Sequence, residues 1–89
     1  MASKNLNFTE INGEWVATHS EGSGIVQISR VGQGNISVSA NIPEMEPVPI
    51  AVFKNPYTKD VIFNLDIAEG IEVTIKSATE VLEAKFFTE

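Results

Sequence analysis

The chain has one histidine, His19, and no cysteine, so a single side chain is of the type that shuttles protons and no thiolate is present to attack a substrate or hold a metal. No nucleophile and carboxylate are readable around His19. Pairing across the nearest turn sets it at the open end of a hairpin beside Leu6, a rim position that needs no catalytic role. Asp60, Asn64 and Asp66 fall on one face of a strand and carry oxygens that suit Ca²⁺. That cation asks for a wrapping loop with six or more oxygens, however, and a solvated strand face accounts for these residues better. As a glycosidase pair the same carboxylates lack a cleft, since 89 residues leave little room for one that distorts a sugar. Gly22-Ser23-Gly24 and Gly32-Gln33-Gly34 look like phosphate loops, but neither leads into a helix or carries a following lysine, and both read as hairpin turns. Trp15 and Tyr57 are the aromatics on which a sugar would stack. Register turns Trp15 toward the core and leaves Tyr57 in a loop. The expectation is a protein with no catalytic residue, no cofactor and no metal site.

The elements that carry these residues are strands. Turn signals recur about every ten residues, and between them apolar residues alternate with period two, as in half-buried strands. Asn12-Gly13 is a type I′ signal that pairs Ile11 with Glu14, Glu10 with Trp15, Phe8 with Ala17 and Leu6 with His19. Leu6, Phe8, Trp15 and Ala17 then share one face. A three-residue loop at Gly32-Gln33-Gly34 pairs Val31 with Asn35 and sets Arg30 opposite Ile36, Ile28 opposite Val38 and Val26 opposite Ala40. A bulged hairpin at Ala68-Glu69-Gly70 pairs Ile67 with Ile71, Leu65 with Val73 and Phe63 with Ile75. A one-residue slip would turn any of these strands inside out, so their apolar faces specify register.

Three prolines in Pro43-Glu44-Met45-Glu46-Pro47-Val48-Pro49 deny backbone donors and forbid a central strand, which predicts an exposed loop before a strand at Ile50-Ala51-Val52-Phe53. Asn55-Pro56 opens the next turn. At the C-terminal end, Ser77-Ala78-Thr79-Glu80 fits a helical capping box. Leu82, Ala84 and Phe86 nevertheless alternate with Glu83 and Lys85, which predicts a strand. The fold class is therefore all-β: a small antiparallel β-sandwich of about eight strands, of jelly-roll or Greek-key type.

A chain of 89 residues reads as one domain spanning 1–89. A domain of that size buries only roughly 60–65% of the surface its unfolded chain exposes. With no cysteine it gains no disulfide or zinc, so association with a partner becomes the natural support. Twelve acidic against six basic residues give a net charge of -6, which repels phosphate backbones and anionic lipid. Lys4, Arg30, Lys54, Lys59, Lys76 and Lys85 are scattered and form no basic stripe. Direct nucleic-acid binding is not expected. Met1-Ala2-Ser3-Lys4-Asn5 lacks the apolar stretch of a secretion signal, and no apolar run approaches the ~20 residues of a membrane helix. The expectation is assembly in the cytosol with no membrane partner, where the Asn7 and Asn35 glycosylation triplets carry no weight.

An apolar surplus points to a docking surface. Trp15-Val16, Ile25-Val26, Val52-Phe53, Val61-Ile62-Phe63 and Phe86-Phe87 place bulky groups on both faces of their strands, whereas a lone sandwich needs only one. If the last strand is correct, either Phe86 or Phe87 faces away from the core. Met45, Val48 and Ile50, stiffened by prolines, form a second candidate contact, because such a loop loses little entropy on binding. The candidate partner contacts are Met45, Val48, Tyr57, Phe86 and Phe87.

Asn5-Leu6-Asn7-Phe8-Thr9-Glu10 with Gly13-Glu14-Trp15-Val16-Ala17, Ile36-Ser37-Val38-Ser39-Ala40, Val61-Ile62-Phe63-Asn64-Leu65-Asp66-Ile67 before Gly70, and Ser77-Ala78-Thr79-Glu80-Val81 resemble small virion proteins of phages that infect gut Bacteroidales. The nearest type is the auxiliary, or decoration, capsid protein of crAss-like phages. The resemblance implies a β-sandwich on the outer capsid surface that contacts the major capsid protein and reinforces the shell or presents a face to the environment; the partners expected are the major capsid protein or another virion protein, with a homo-oligomer as a further expectation. It brings no catalytic or cofactor residue. The competing expectation is a small carbohydrate or cell-surface binding module, using Tyr57 and the polar strand face of Asn35, Ser37, Ser39 and Asn41.

Overall fold

Where apolar residues alternate, the chain forms strands. The computed structural model describes residues 2–30, 32, 34–54 and 60–88. Its strands are β1 Ala2–Asn5, β2 Thr9–Ile11, β3 Glu14–His19, β4 Gly24–Arg30, β5 Ile36–Asn41, β6 Val48–Phe53, β7 Val61–Leu65, β8 Glu72–Ser77 and β9 Val81–Thr88. They form two antiparallel sheets, one ordered β1-β9-β4-β7 and the other β2-β3-β8-β5-β6. With β2 set aside, pairing runs inward from the two ends of the chain: β1 with β9, β3 with β8, β4 with β7, β5 with β6. That nesting is a long hairpin folded over into two sheets, the order of a jelly roll.

The core lies between the sheets. Val26 and Ile28 of β4, Leu65 of β7, and Ala84 and Phe86 of β9 face inward from the first sheet; Ile36, Val38 and Ala40 of β5 and Val73 and Ile75 of β8 face them from the second. Phe53 of β6 and Phe63 of β7 stack at 4.7 Å between ring centroids and close one side. Inward residues agree with the alternation at these strands except at the start of β9, where the register shifts past Leu82, expected inward with Ala84 and Phe86, and leaves it 64% exposed.

Strand partners agree less well, and each difference has one cause. The Asn12-Gly13 turn forms, with φ of 52° and 84°, and pairs Ile11 with Glu14 and Glu10 with Trp15 as expected. The ladder then stops. Leu6–Phe8 crosses between sheets instead of pairing with Ala17 and His19, and the Leu6 N–H donates to the Ala84 carbonyl at 2.8 Å. This crossing splits the expected first strand into β1 and β2, so the described residues hold nine strands where about eight were expected. Neither β4 and β5 nor β7 and β8 form a hairpin, since the members of each pair lie in opposite sheets and the chain crosses between them. Gly22-Ser23-Gly24 likewise carries the chain from β3 in one sheet to β4 in the other. Val26 and Ile28 therefore share the core with Val38 and Ala40 from the opposite sheet rather than pairing beside them. A crossing and a hairpin bury the same alternate residues, so the apolar pattern is satisfied by either.

The C-terminal segment is a strand, and the Ser77 box closes a turn. Ser77 Oγ donates to the Thr79 carbonyl at 2.8 Å and accepts the Thr79 N–H at 3.3 Å. Pro49 lies in β6, which begins two residues earlier than the expected strand. This is tolerated because β6 is an edge strand with β5 as its single neighbour.

Gly24 is required by close approach. A Cβ there would sit 2.5 Å from the Phe86 ring and 2.5 Å from the Phe87 carbonyl oxygen. Gly24→Ala is expected to destabilise the domain by about 1–3 kcal/mol through overpacking. Urea unfolding checks this, and a change below ~0.5 kcal/mol would contradict so tight a contact between β4 and β9.

Candidate functional site

The chemistry-bearing residues do not converge. His19 pairs with Val73 in the β3–β8 ladder, not with Leu6, and is buried rather than at the rim. Its ring lies 4.1 Å from that of Phe86, and Nε2 is 3.0 Å from the Gly22 carbonyl, so an Nε2–H donates there. Nδ1 is buried without a hydrogen-bond partner. No hydroxyl or carboxylate of the described residues is hydrogen-bonded to the imidazole, so its geometry is that of a packed core residue.

Asp60, Asn64 and Asp66 are exposed, but only Asn64 lies on β7; the two aspartates fall just beyond its ends. Among the described residues no group of three or more His, Asp or Glu side chains is arranged to hold a metal ion. The polar face of β5 is partly committed: Asn41 Nδ2 donates to Glu72 Oε1 at 2.8 Å and to the Ile42 carbonyl at 3.0 Å. Tyr57 lies outside the described residues.

The exposed apolar residues, by contrast, cluster in part: Ile11, Ile25, Ile62 and Leu82 are scattered over other strands, and five others share one hairpin. Ile42, Met45, Val48, Ile50 and Val52 are each between 50% and 61% exposed, and all belong to the β5–β6 hairpin. Local chemistry sets this shape. Pro43 and Glu44 occupy the middle of a turn in which the Met45 N–H donates to the Ile42 carbonyl at 3.1 Å. Glu44 has φ of 73°, a left-handed conformation usual for glycine at the second central position of a type II turn with proline first. Past the tip, Ser39 pairs with Pro49 and Val38 with Ala51, so Ile50 is the extra residue of a β-bulge. The bulge falls on the open edge of the second sheet, where an unpaired strand is a template for pairing with another chain.

Of the expected contacts, Met45 and Val48 lie on this hairpin. Phe86 does not belong to any surface: it is 2% exposed and fills the core, because Ala84 and Phe86 take the inward-facing positions of β9. Phe87 is half-buried on the opposite face. Sequence reasoning missed Ile42, whose signal was a bulky apolar residue next to a proline at the end of a strand, and weighed Val52 only as part of a general surplus.

No protein family, curated protein or solved structure matches the chain.

Proposed function

We propose that the chain is a non-enzymatic assembly protein, an auxiliary or decoration subunit on the outer shell of a tailed-phage capsid, that docks through the β5–β6 hairpin. The observation that carries this reading is the gathering of Ile42, Met45, Val48, Ile50 and Val52 on one proline-stiffened edge hairpin. The acidic charge of -6 suits a surface turned away from packaged DNA, and jelly rolls recur in viral capsids, a fold-level analogy.

Magnitudes limit how the hairpin acts. Fully burying an aliphatic side chain stabilises by about 1.5–3 kcal/mol, so covering the exposed half of five yields at most roughly 4–7 kcal/mol, and only for a partner that wraps the edge, since Val48 pairs with inward-facing Ala40 and Val52 with outward-facing Ser37. Association costs an estimated 4–15 kcal/mol in lost freedom. The side chains alone therefore roughly break even, and the partner must add contacts, either a strand paired along β6 or basic groups against Glu44 and Glu46, which flank Met45 and are exposed.

Sedimentation of the purified protein over a range of concentrations, and then with capsids that lack it, tests the reading. Saturable co-sedimentation with capsids is the expected result. A protein that ignores assembled shells at every concentration would overturn it.

A further inference from the structure

The outer face of the first sheet carries a surface of different chemistry, independent of the hairpin. Ser3, Phe87, Ile25 and Asn64 stand side by side on β1, β9, β4 and β7, as their ladder pairs show. At the end of this row Ser23, Ile25, Asn64, Asp66, Phe87 and Thr88 line a groove of about 420 Å³. Small-molecule sites commonly fall between roughly 300 and 1,000 Å³.

One wall of the groove is fixed. Ser23 Oγ accepts the Ile67 N–H at 2.9 Å and lies 2.9 Å from the Ile67 carbonyl, tying the end of β7 to the start of β4. The polar groups beside it are uncommitted. The Asp66 carboxylate has one long contact, 3.5 Å from Ser23 Oγ, and the Asn64 side chain makes no hydrogen bond within the described residues. Phe87 and Ile25 supply an aromatic and an aliphatic lining.

We infer that this groove binds a neutral pyranose sugar. A pyranose has an apolar face of C–H bonds that packs on an aromatic ring, and a rim of hydroxyls that both donate and accept. Asp66 accepts from such hydroxyls, while Asn64 and Thr88 do both. The Asp66 charge and the net charge of -6 disfavour phosphates, nucleotides and acidic sugars.

The test is an NMR titration of isotope-labelled protein with methyl glycosides of glucose, galactose, mannose and N-acetylglucosamine, the corresponding free sugars, and N-acetylneuraminic acid and inorganic phosphate as anionic probes. Saturable shifts confined to residues 23–25, 64–66 and 87–88 with a neutral sugar are expected. Asn64→Ala should weaken that binding at least about tenfold, or ~1.4 kcal/mol, without changing stability, since Asn64 is exposed. Phe87→Leu, which keeps apolar bulk in the sheet but removes the ring, should weaken it too. Equal or better binding of the blocked glycoside assigns the groove to the ends of glycans, and binding of free sugars alone assigns it to a monosaccharide. No saturable shift with any neutral sugar, shifts elsewhere, preference for the anionic probes, or unchanged binding by Asn64→Ala would each overturn the inference.

Discussion

Phe86→Ala is expected to remove about 3–5 kcal/mol of stability, while Phe87→Ser removes roughly 1 kcal/mol or less. The two residues are adjacent in one strand, and only the face they occupy differs. Phe86 is 2% exposed, packs its ring 4.1 Å from that of His19 and lies against Gly24, so truncation leaves a cavity that surrounding strands cannot collapse to fill. Domains are stable by only about 5–15 kcal/mol in total, and a small one sits low in that range, so the Phe86 variant should be largely unfolded on mild warming. Urea unfolding followed by circular dichroism compares the two. Equal losses, or a larger loss for Phe87→Ser, would place β9 in the wrong register by one residue.

Val48→Lys combined with Ile50→Lys should weaken capsid capture by thirtyfold or more, corresponding to about 2 kcal/mol or greater, while changing unfolding stability by no more than ~0.5 kcal/mol. Both side chains are at least half exposed, so the folded protein loses little when they change. A partner that desolvates them loses apolar contact and must instead bury charge. Ile62→Lys combined with Leu82→Lys is the matched control, because it adds the same two charges at residues each 64% exposed on β7 and β9, outside the hairpin. Co-sedimentation with capsids should distinguish the hairpin variant from this control. If both lysine variants lose capture equally, the effect is one of overall charge and the hairpin is not the docking surface.

The amino-acid sequence by itself determined which residues face inward. Val26 and Ile28, Ile36 and Val38, and Val73 and Ile75 are buried because side chains alternate across a strand whatever lies beside it, whereas the choice between Phe86 and Phe87 was left to the structure. It also determined the Asn12-Gly13 turn, where two residues dictate a backbone shape, and the strand at Val81–Thr88, where alternation outweighed a local capping signal. Which strands are neighbours was decided only by the tertiary structure. The turns at Gly32–Gly34 and Ala68–Gly70 are compatible with a return in the same sheet or a crossing to the other, and the choice rests on pairings such as β1 with β9 and β3 with β8 that join residues far apart in the chain. For the same reason the hairpin surface was partly legible, since Met45, Val48 and Ile50 are local in sequence. The row of Phe87, Ile25 and Asn64 was not, because three strands from distant parts of the chain have to be laid side by side before those residues meet.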